Sequence, residues 1–179
     1  MELRIREATL DDAAAIAAIY GPYVLTSPAT FETDPPDSTE MRDRIKRVTE
    51  MYPWLVAEGP KGIEGYAYAS RHRERPAYQW AVDASAYVAP GSHRSGIGRR
   101  LYGELFEIVR RQGFTNVFAG ITLPNDASVG LHRAMGFELI GVYGQIGYKL
   151  GAWHDTSWWQ LRLTEEQSAP SAPLSWKDL

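Results

Sequence analysis

Leu3 and Ile5 alternate with charged residues, which predicts a first strand over about residues 3–7. Thr9-Leu10-Asp11-Asp12 resembles a capping box with Asp in place of Glu, and opens a helix carrying Ile16, Ile19 and Tyr20. Gly21-Pro22 is expected to interrupt that helix or to start a second short piece. Residues 26–36 read as a loop, and Ser38 is placed to cap a helix over roughly 39–51. Trp54–Glu58 and Ile63–Ser70 are expected strands, joined by a turn at Gly59-Pro60-Lys61-Gly62. A polar stretch, Arg71–Pro76, leads into a long strand over Gln79–Ala89. Gly98–Gln112 predicts a helix with Leu101, Leu105 and Ile108 on one face, ended by Gly113. Val117–Thr122 reads as a strand, Ala127–Met135 as a helix, and Glu138–Tyr148 and Thr156–Leu163 as closing strands. With no internal repeat, these elements form one α/β domain.

Within this pattern the run His93-Arg94-Ser95-Gly96-Ile97-Gly98 stands between the apolar stretch Ala86-Tyr87-Val88-Ala89 and an amphipathic helix. A glycine-rich loop in that place turns several backbone N–H groups the same way at a helix N-terminus. The helix dipole adds partial positive charge, and the result suits a pyrophosphate. Gly96 and Gly98 let backbone approach phosphate oxygens where a Cβ would intrude. No Lys-Ser or Lys-Thr follows, so the run is not a P-loop, and it lacks the third glycine of a dinucleotide fingerprint. An ordinary tight strand-to-helix turn uses the same residues.

Asn125-Asp126-Ala127-Ser128, His132 and Gly136-Phe137 continue the pattern, with positions 125, 128 and 132 on one helical face. The two segments together resemble the GNAT superfamily of acyl-CoA-dependent N-acetyltransferases, whose pyrophosphate loop reads Gln/Arg-x-x-Gly-x-Gly/Ala. His93 stands at the first position, a departure that leaves the backbone cradle intact. Tyr52-Pro53-Trp54-Leu55-Val56-Ala57-Glu58, Ala77-Tyr78-x-Trp80, Leu123-Pro124-Asn125-Asp126-x-Ser128-Val129, Trp153-His154-Asp155 and Trp159-Gln160-Leu161 closely resemble the phosphinothricin and methionine sulfoximine acetyltransferase branch. The match runs from about Leu3 to Leu163. It implies a single-domain GNAT fold over 1–165, a mixed central sheet flanked by helices. Residues 166–179, small, polar and proline-containing, read as a flexible C-terminal tail.

Acetyl transfer to an amine needs a neutral nucleophile, a stabilised oxyanion and a proton path. Asp83 is the carboxylate candidate, inside the small and apolar run Trp80-Ala81-Val82-Asp83-Ala84-Ser85. The resemblance puts a catalytic Glu at that place; Asp is one methylene shorter, which favours a water relay. The bland alternative is an Asp that binds nearby backbone. His132, seven residues after Asn125, stands where many members of the superfamily carry a general-acid tyrosine and where the phosphinothricin branch also has His. A neutral His accepts a proton near pH 7, and His⁺ can return one to the CoA thiolate. A histidine on a helix face also serves cores and caps.

The resemblance further implies that acetyl-CoA, as co-substrate, is held by His93, Arg94, Ser95, Gly96, Ile97 and Gly98, by Tyr87 and Val88, and by Asn125 and Ser128. Val88 is expected to offer its backbone N–H to the thioester oxygen from a splayed strand. Arg73 and Arg75, in a basic loop, can each hold a carboxylate or phosphinate through a bidentate contact. The resemblance raises Arg75, Ala77 and Tyr78 within the substrate set. Phe31, Tyr78 and Trp80 can wall a pocket, although aromatics at such spacings fill cores as readily.

Composition narrows what remains. The chain has 179 residues, with 44% hydrophobic and 23% charged, ordinary for a soluble domain. It has no cysteine, which excludes disulfides, zinc–thiolate sites and an acetyl-cysteine intermediate; no metal is expected. A net charge of -3 gives no reason to expect nucleic acid. No apolar run approaches the roughly 20 residues of a membrane span, and no signal-peptide apolar region is evident, so the expected location is cytoplasmic. The apolar C-terminal region with Trp153, Trp158 and Trp159 suits a core or an interface. The resemblance implies a homodimer.

The expected function is therefore transfer of acetyl from acetyl-CoA to the α-amino group of a small amino acid such as phosphinothricin, methionine sulfoximine or methionine sulfone. Direct attack in a ternary complex is expected. The alternatives are a different amine, such as a polyamine or a protein N-terminus, or a catalytically weak acetyl-CoA sensor. Paired arginines disfavour a polycation, which they repel.

Overall fold

The computed structural model describes residues 2–165 and 169–179. Its elements are β1 (Arg4–Glu7), α1 (Ala13–Thr26), α2 (Ser38–Val48), β2 (Trp54–Gly59), β3 (Gly62–Arg71), β4 (Ala81–Val88), α3 (Ile97–Arg111), β5 (Asn116–Thr122), α4 (Asp126–Ala134), β6 (Glu138–Lys149) and β7 (Ala152–Arg162). The strands form one seven-stranded sheet in the order β1-β2-β3-β4-β5-β7-β6. Every neighbouring pair is antiparallel except β4 and β5.

Two apolar layers sandwich the sheet. On one face Leu55, Ala57, Ala67 and Val82 meet Leu101, Leu105 and Val109 of α3. On the other, Trp54, Val56 and Tyr66 meet Ile16 and Ile19 of α1 and Met41 and Ile45 of α2. Alternate residues of a strand face opposite sides. The continuous apolar run 54–57 is thus what a strand covered on both faces requires.

Three local expectations change. Helix α1 runs unbroken through Pro22, which lies inside it. An interior proline costs about 3 kcal/mol, but Ile16, Ile19, Tyr20 and Val24 are buried along the helix on both sides of Pro22, and each such side chain contributes about 1.5–3 kcal/mol. Burial therefore outweighs the break. Asp37, not Ser38, caps α2, its carboxylate accepting from the Glu40 N–H at 2.8 Å. Strand β4 starts at Ala81 because a 3₁₀ turn occupies Pro76–Tyr78.

The C-terminal segment differs from the flexible tail that its composition suggests. The expected boundary at 165/166 adjoins residues 166–168, which lie outside the described residues. Beyond them the chain is tied back to the domain. Trp80 Nε1 donates to the Ser171 carbonyl at 2.8 Å. The buried Gln112 amide donates to the carbonyls of Met51 and Leu174, both at 2.8 Å. Trp176 Nε1 donates to the Thr49 carbonyl at 2.9 Å. A buried amide needs partners, and the tail supplies one. Among the described residues no helix is long and apolar enough to cross a membrane.

Candidate active site

The one parallel pair of the sheet creates the site. β4 and β5 pair only at Ala81–Asn116, Val82–Val117 and Asp83–Phe118. Past these residues the strands part. Ala84–Val88 forms one wall and Ala119–Thr122 the other of a cleft of about 890 Å³, also lined by the α3 N-terminus and by α4. Ala89 N–H donates to the Glu64 carbonyl on the β3 side at 2.8 Å. Hydrogen-bonding direction alternates along an antiparallel strand, so the N–H groups of Ala84, Ala86 and Val88 point away from β3, into the cleft. A strand edge buried in a cleft needs a partner.

At the mouth of the cleft the backbone of Arg94 (φ 61°) and Gly96 (φ 81°) is left-handed, and Gly96 is the N-cap of α3. Such alternation gathers N–H groups into an anion-binding concavity at the positive end of the helix. Ser95 Oγ donates to the Ser92 carbonyl at 2.6 Å, and Ser92 Oγ to Glu64 at 2.7 Å, which pins the loop to the sheet. Gly98 has a further reason to be glycine: a Cβ there would lie 3.0 Å from Leu131 Cδ2, on the other lining element of the cleft.

His93 has a defined place despite departing from the loop pattern. Tyr23 OH donates to the Val88 carbonyl at 2.7 Å, and His93 Nε2 lies 2.9 Å from the Tyr23 oxygen and 3.2 Å from the Val88 carbonyl. With the tyrosine proton committed to Val88, the imidazole donates through Nε2–H. The side chain thus anchors the loop to β4 and occupies the Val88 carbonyl.

On α4, Asn125 caps the helix through Oδ1, accepting from Ser128 N–H at 3.1 Å, and keeps its amide N–H groups for another acceptor. His132 is buried. Its Nδ1–H donates to the Ser128 carbonyl at 2.7 Å, leaving Nε2 as the acceptor that faces Tyr102 OH at 3.3 Å. Burial lowers the His132 pKa from its ordinary value, so the ring is neutral at pH 7.

A second cluster lies at the closed end of the cleft, on the sheet face opposite Val82 and Ala84. Asp83 Oδ1 is 2.6 Å from His72 Nδ1. The His72 ring stacks on Phe118 (centroids 4.3 Å apart) and meets Trp158 and Tyr78 edge-on, both at 6.2 Å. Arg73 lies over the Trp158 ring at 5.8 Å. Burial pushes the Asp83 carboxyl up, while His72 and Arg73 oppose that rise.

The residues expected from sequence therefore fall into separate groups. Tyr87, Val88, His93, Arg94, Gly96, Ile97, Gly98, Asn125, Ser128 and His132 line the cleft; Ser95 braces its loop from behind. Asp83, Arg73 and Tyr78 meet around His72. Arg75 and Ala77 are exposed in the 3₁₀ turn region, and Arg73, not the higher-ranked Arg75, is the arginine packed on the cluster. Phe31 packs against Gly147, where any Cβ would overlap its ring. The loop carrying it is held by Lys149 Nζ, which donates to the carbonyls of Ser27 at 2.8 Å and Thr30 at 2.7 Å. Sequence reasoning missed His72, Tyr23, Tyr102, Phe118 and Trp158 as site neighbours. Each reads as an ordinary loop or core residue, and only strand register joins them.

A cleft with backbone donors on one wall and an amide cradle at its mouth is built for a nucleotide-linked thioester. The chain belongs to the GNAT family of acyl-CoA-dependent N-acetyltransferases: the acetyltransferase (GNAT) domain matches residues 5–158. It is 41% identical over 172 residues to the phosphinothricin N-acetyltransferase of Streptomyces viridochromogenes, covering 96% of this chain and 93% of that one. It is 36% identical to the L-methionine sulfoximine/L-methionine sulfone acetyltransferase of Pseudomonas paraeruginosa, covering 95% of this chain and 100% of that one. Among solved structures, a GNAT phosphinothricin acetyltransferase from Sinorhizobium meliloti in complex with AcCoA superposes with a TM-score of 0.91 at 38% identity, over 97% of this chain and 96% of that one.

Proposed function

We propose that this acetyl-CoA-dependent N-acetyltransferase acts on the α-amino group of a small amino acid with an anionic or strongly polar side-chain head, such as phosphinothricin, methionine sulfoximine or methionine sulfone. The observation that carries the reading is the meeting of two sites at one point of the sheet. The thioester cleft closes where β4 and β5 join, and the Asp83 cluster, with Arg73 beside it, stands on that junction. The relatives named for these substrates support the choice.

The reaction runs by direct attack within a ternary complex. The α-ammonium loses a proton toward Asp83, and its nitrogen lone pair attacks the thioester carbon. The Val88 N–H stabilises the oxyanion, the C–S bond breaks, and the CoA thiolate leaves. The nitrogen gives up its second proton, which passes by way of His132 on the cleft wall to that thiolate. The amide cradle at residues 93–98 holds the pyrophosphate, and the Asn125 amide binds the pantetheine arm.

Arg73→Ala tests the substrate class. The KM for phosphinothricin is expected to rise at least about tenfold, the weight of one charge-assisted hydrogen bond of ~1.5–3 kcal/mol, while acetylation of neutral methionine amide changes little. Arg75→Ala, whose side chain has no hydrogen-bond partner among the described residues, is the milder comparison. Equal losses for both substrates in Arg73→Ala would assign it to loop support and reopen the substrate class.

We also propose a homodimer. Edge strand β6 and its turn expose Leu139, Ile140, Val142, Tyr143, Ile146, Tyr148 and Leu150, each 48–61% accessible, with Trp153 of β7 beside them. An apolar sheet edge of that kind is a template for association. Sedimentation is expected to give twice the 20.1 kDa chain mass; a monomer at micromolar concentration removes the proposal.

A further inference from the structure

We propose that His72 is the group that takes the proton from the attacking amine, with Asp83 acting through it. The inference deepens the assignment of base chemistry to Asp83 and rests on it.

The geometry supports this step by step. An Asp83 carboxylate oxygen is committed to His72 Nδ1 at 2.6 Å. A carboxylate accepts and cannot donate, so Nδ1 carries the hydrogen. The basic lone pair of the neutral ring is then on Nε2, at the opposite edge. Among the described residues Nε2 has no hydrogen-bond partner, although the side chain is only 11% accessible. The other histidines at the site differ: His93 is exposed and holds Tyr23, not a carboxylate, through Nε2, and His132 is bonded through both nitrogens. An imidazole ring this enclosed, with one nitrogen held by a carboxylate and the other free, is arranged to bind a donor from outside the chain.

The ring is also held in orientation. It stacks on Phe118 with an interplanar angle of 18° and has Trp158 and Tyr78 against its edges. Turning it over would break the bond to Asp83. Phe118 is the last β5 residue paired with β4, and Asp83 is its partner, so the ring sits where the acyl cleft closes. The titratable and charged groups facing His72 are Asp83 from β4, Tyr78 from the 3₁₀ turn and Arg73 from its own loop; Phe118 and Trp158 carry no charge.

The step balances. The substrate R–NH₃⁺ gives a proton to Nε2, leaving R–NH₂ and an imidazolium paired with the Asp83 carboxylate. The amine lone pair then forms the C–N bond as the C–S electrons leave with the thiolate, and the second N–H proton of the nitrogen passes to that thiolate, which gives the neutral amide and CoA–SH. The imidazolium returns its proton to water after the product departs.

The test compares two nucleophiles of the same carbon skeleton at neutral pH: the α-amino acid, which enters protonated, and its α-aminooxy analogue, which is already neutral and needs no base. In His72→Phe, which keeps the stack on Phe118, kcat for the amine is expected to fall about 10²-fold, the lower end of general-base assistance. The rate for the aminooxy analogue should stay within about threefold of the parent on that scale. His72→Gln keeps a donor for Asp83 but has no basic nitrogen, and is expected to lose as much on the amine as His72→Phe. Acetyl-CoA affinity, measured by calorimetry, should match the parent in both, which certifies the fold. If both nucleophiles slow together, or if His72→Gln retains the parent rate, His72 is a structural tie and the proposal is overturned. If Asp83→Asn loses activity while both His72 variants keep it, Asp83 is the base without His72. If Asp83→Asn is also fully active, the Asp83 assignment itself fails.

Discussion

Asp83→Asn lowers kcat by about 10²–10⁴-fold, the range for loss of positioned acid–base assistance, while acetyl-CoA binds as to the parent. The separation follows from the fold. Asp83 stands at the last paired position of β4 and does not line the acyl cleft, whose walls begin at Ala84 and Ala119. The amide is nearly isosteric, so packing against Phe118 and His72 is preserved and the loss reports charge. The pH profile carries the sign. Burial holds the Asp83 carboxyl above the ordinary carboxylate range, against the opposing pull of His72 and Arg73. Activity that needs the charged form is therefore lost, as pH falls, at a higher pH than for an exposed aspartate, and Asp83→Asn should abolish this dependence. His132→Ala is the companion variant, expected to lose about 10²-fold in kcat with the same acetyl-CoA affinity. Stopped-flow turnover beside calorimetric Kd separates the two quantities. If acetyl-CoA affinity falls as steeply as kcat, both residues are shaping the cleft rather than moving protons.

Gly98→Glu raises the acetyl-CoA Kd by about 10²-fold or more. Two physical terms combine. The added Cβ would sit 3.0 Å from Leu131 Cδ2, so α3 and α4 must move apart at the cleft wall. The carboxylate then enters a cradle whose N–H groups and helix dipole favour an anion, and like-charge juxtaposition with a pyrophosphate costs several kcal/mol. Each 1.4 kcal/mol is about tenfold in Kd, so about two such steps is a conservative expectation. Gly98→Ala isolates the steric term: Leu131 is a flexible side chain, and a loss of less than about tenfold is expected. A folded Gly98→Glu with parental affinity would place the pyrophosphate elsewhere.

The placement of the glycine loop, the Asn125–Ser128–His132 face and the strand before the loop along one cleft was legible in the sequence, because these are local patterns and backbone direction in a strand–loop–helix unit is dictated by neighbouring residues. The departure at His93 was legible as a departure, but its role was not. Tyr23, from α1, had to be carried across the sheet to meet it.

The alternation of apolar and polar positions, with the glycine and capping signals, determined the elements, their order and the loop at residues 93–98, because these depend on interactions a few residues long. The tertiary structure decided the rest. It carried α1 through Pro22, because the apolar layer around Ile16 and Val24 outweighs one lost hydrogen bond. It laid the proline-containing tail against Gln112, because a buried amide must find acceptors. It set Asp83 against His72 and laid Arg73 over Trp158, because the parting of β4 from β5 and the register of β5 against β7 bring Phe118 and Trp158 under one loop. Strand register is a sum over many distant contacts, and no window of the sequence contains it.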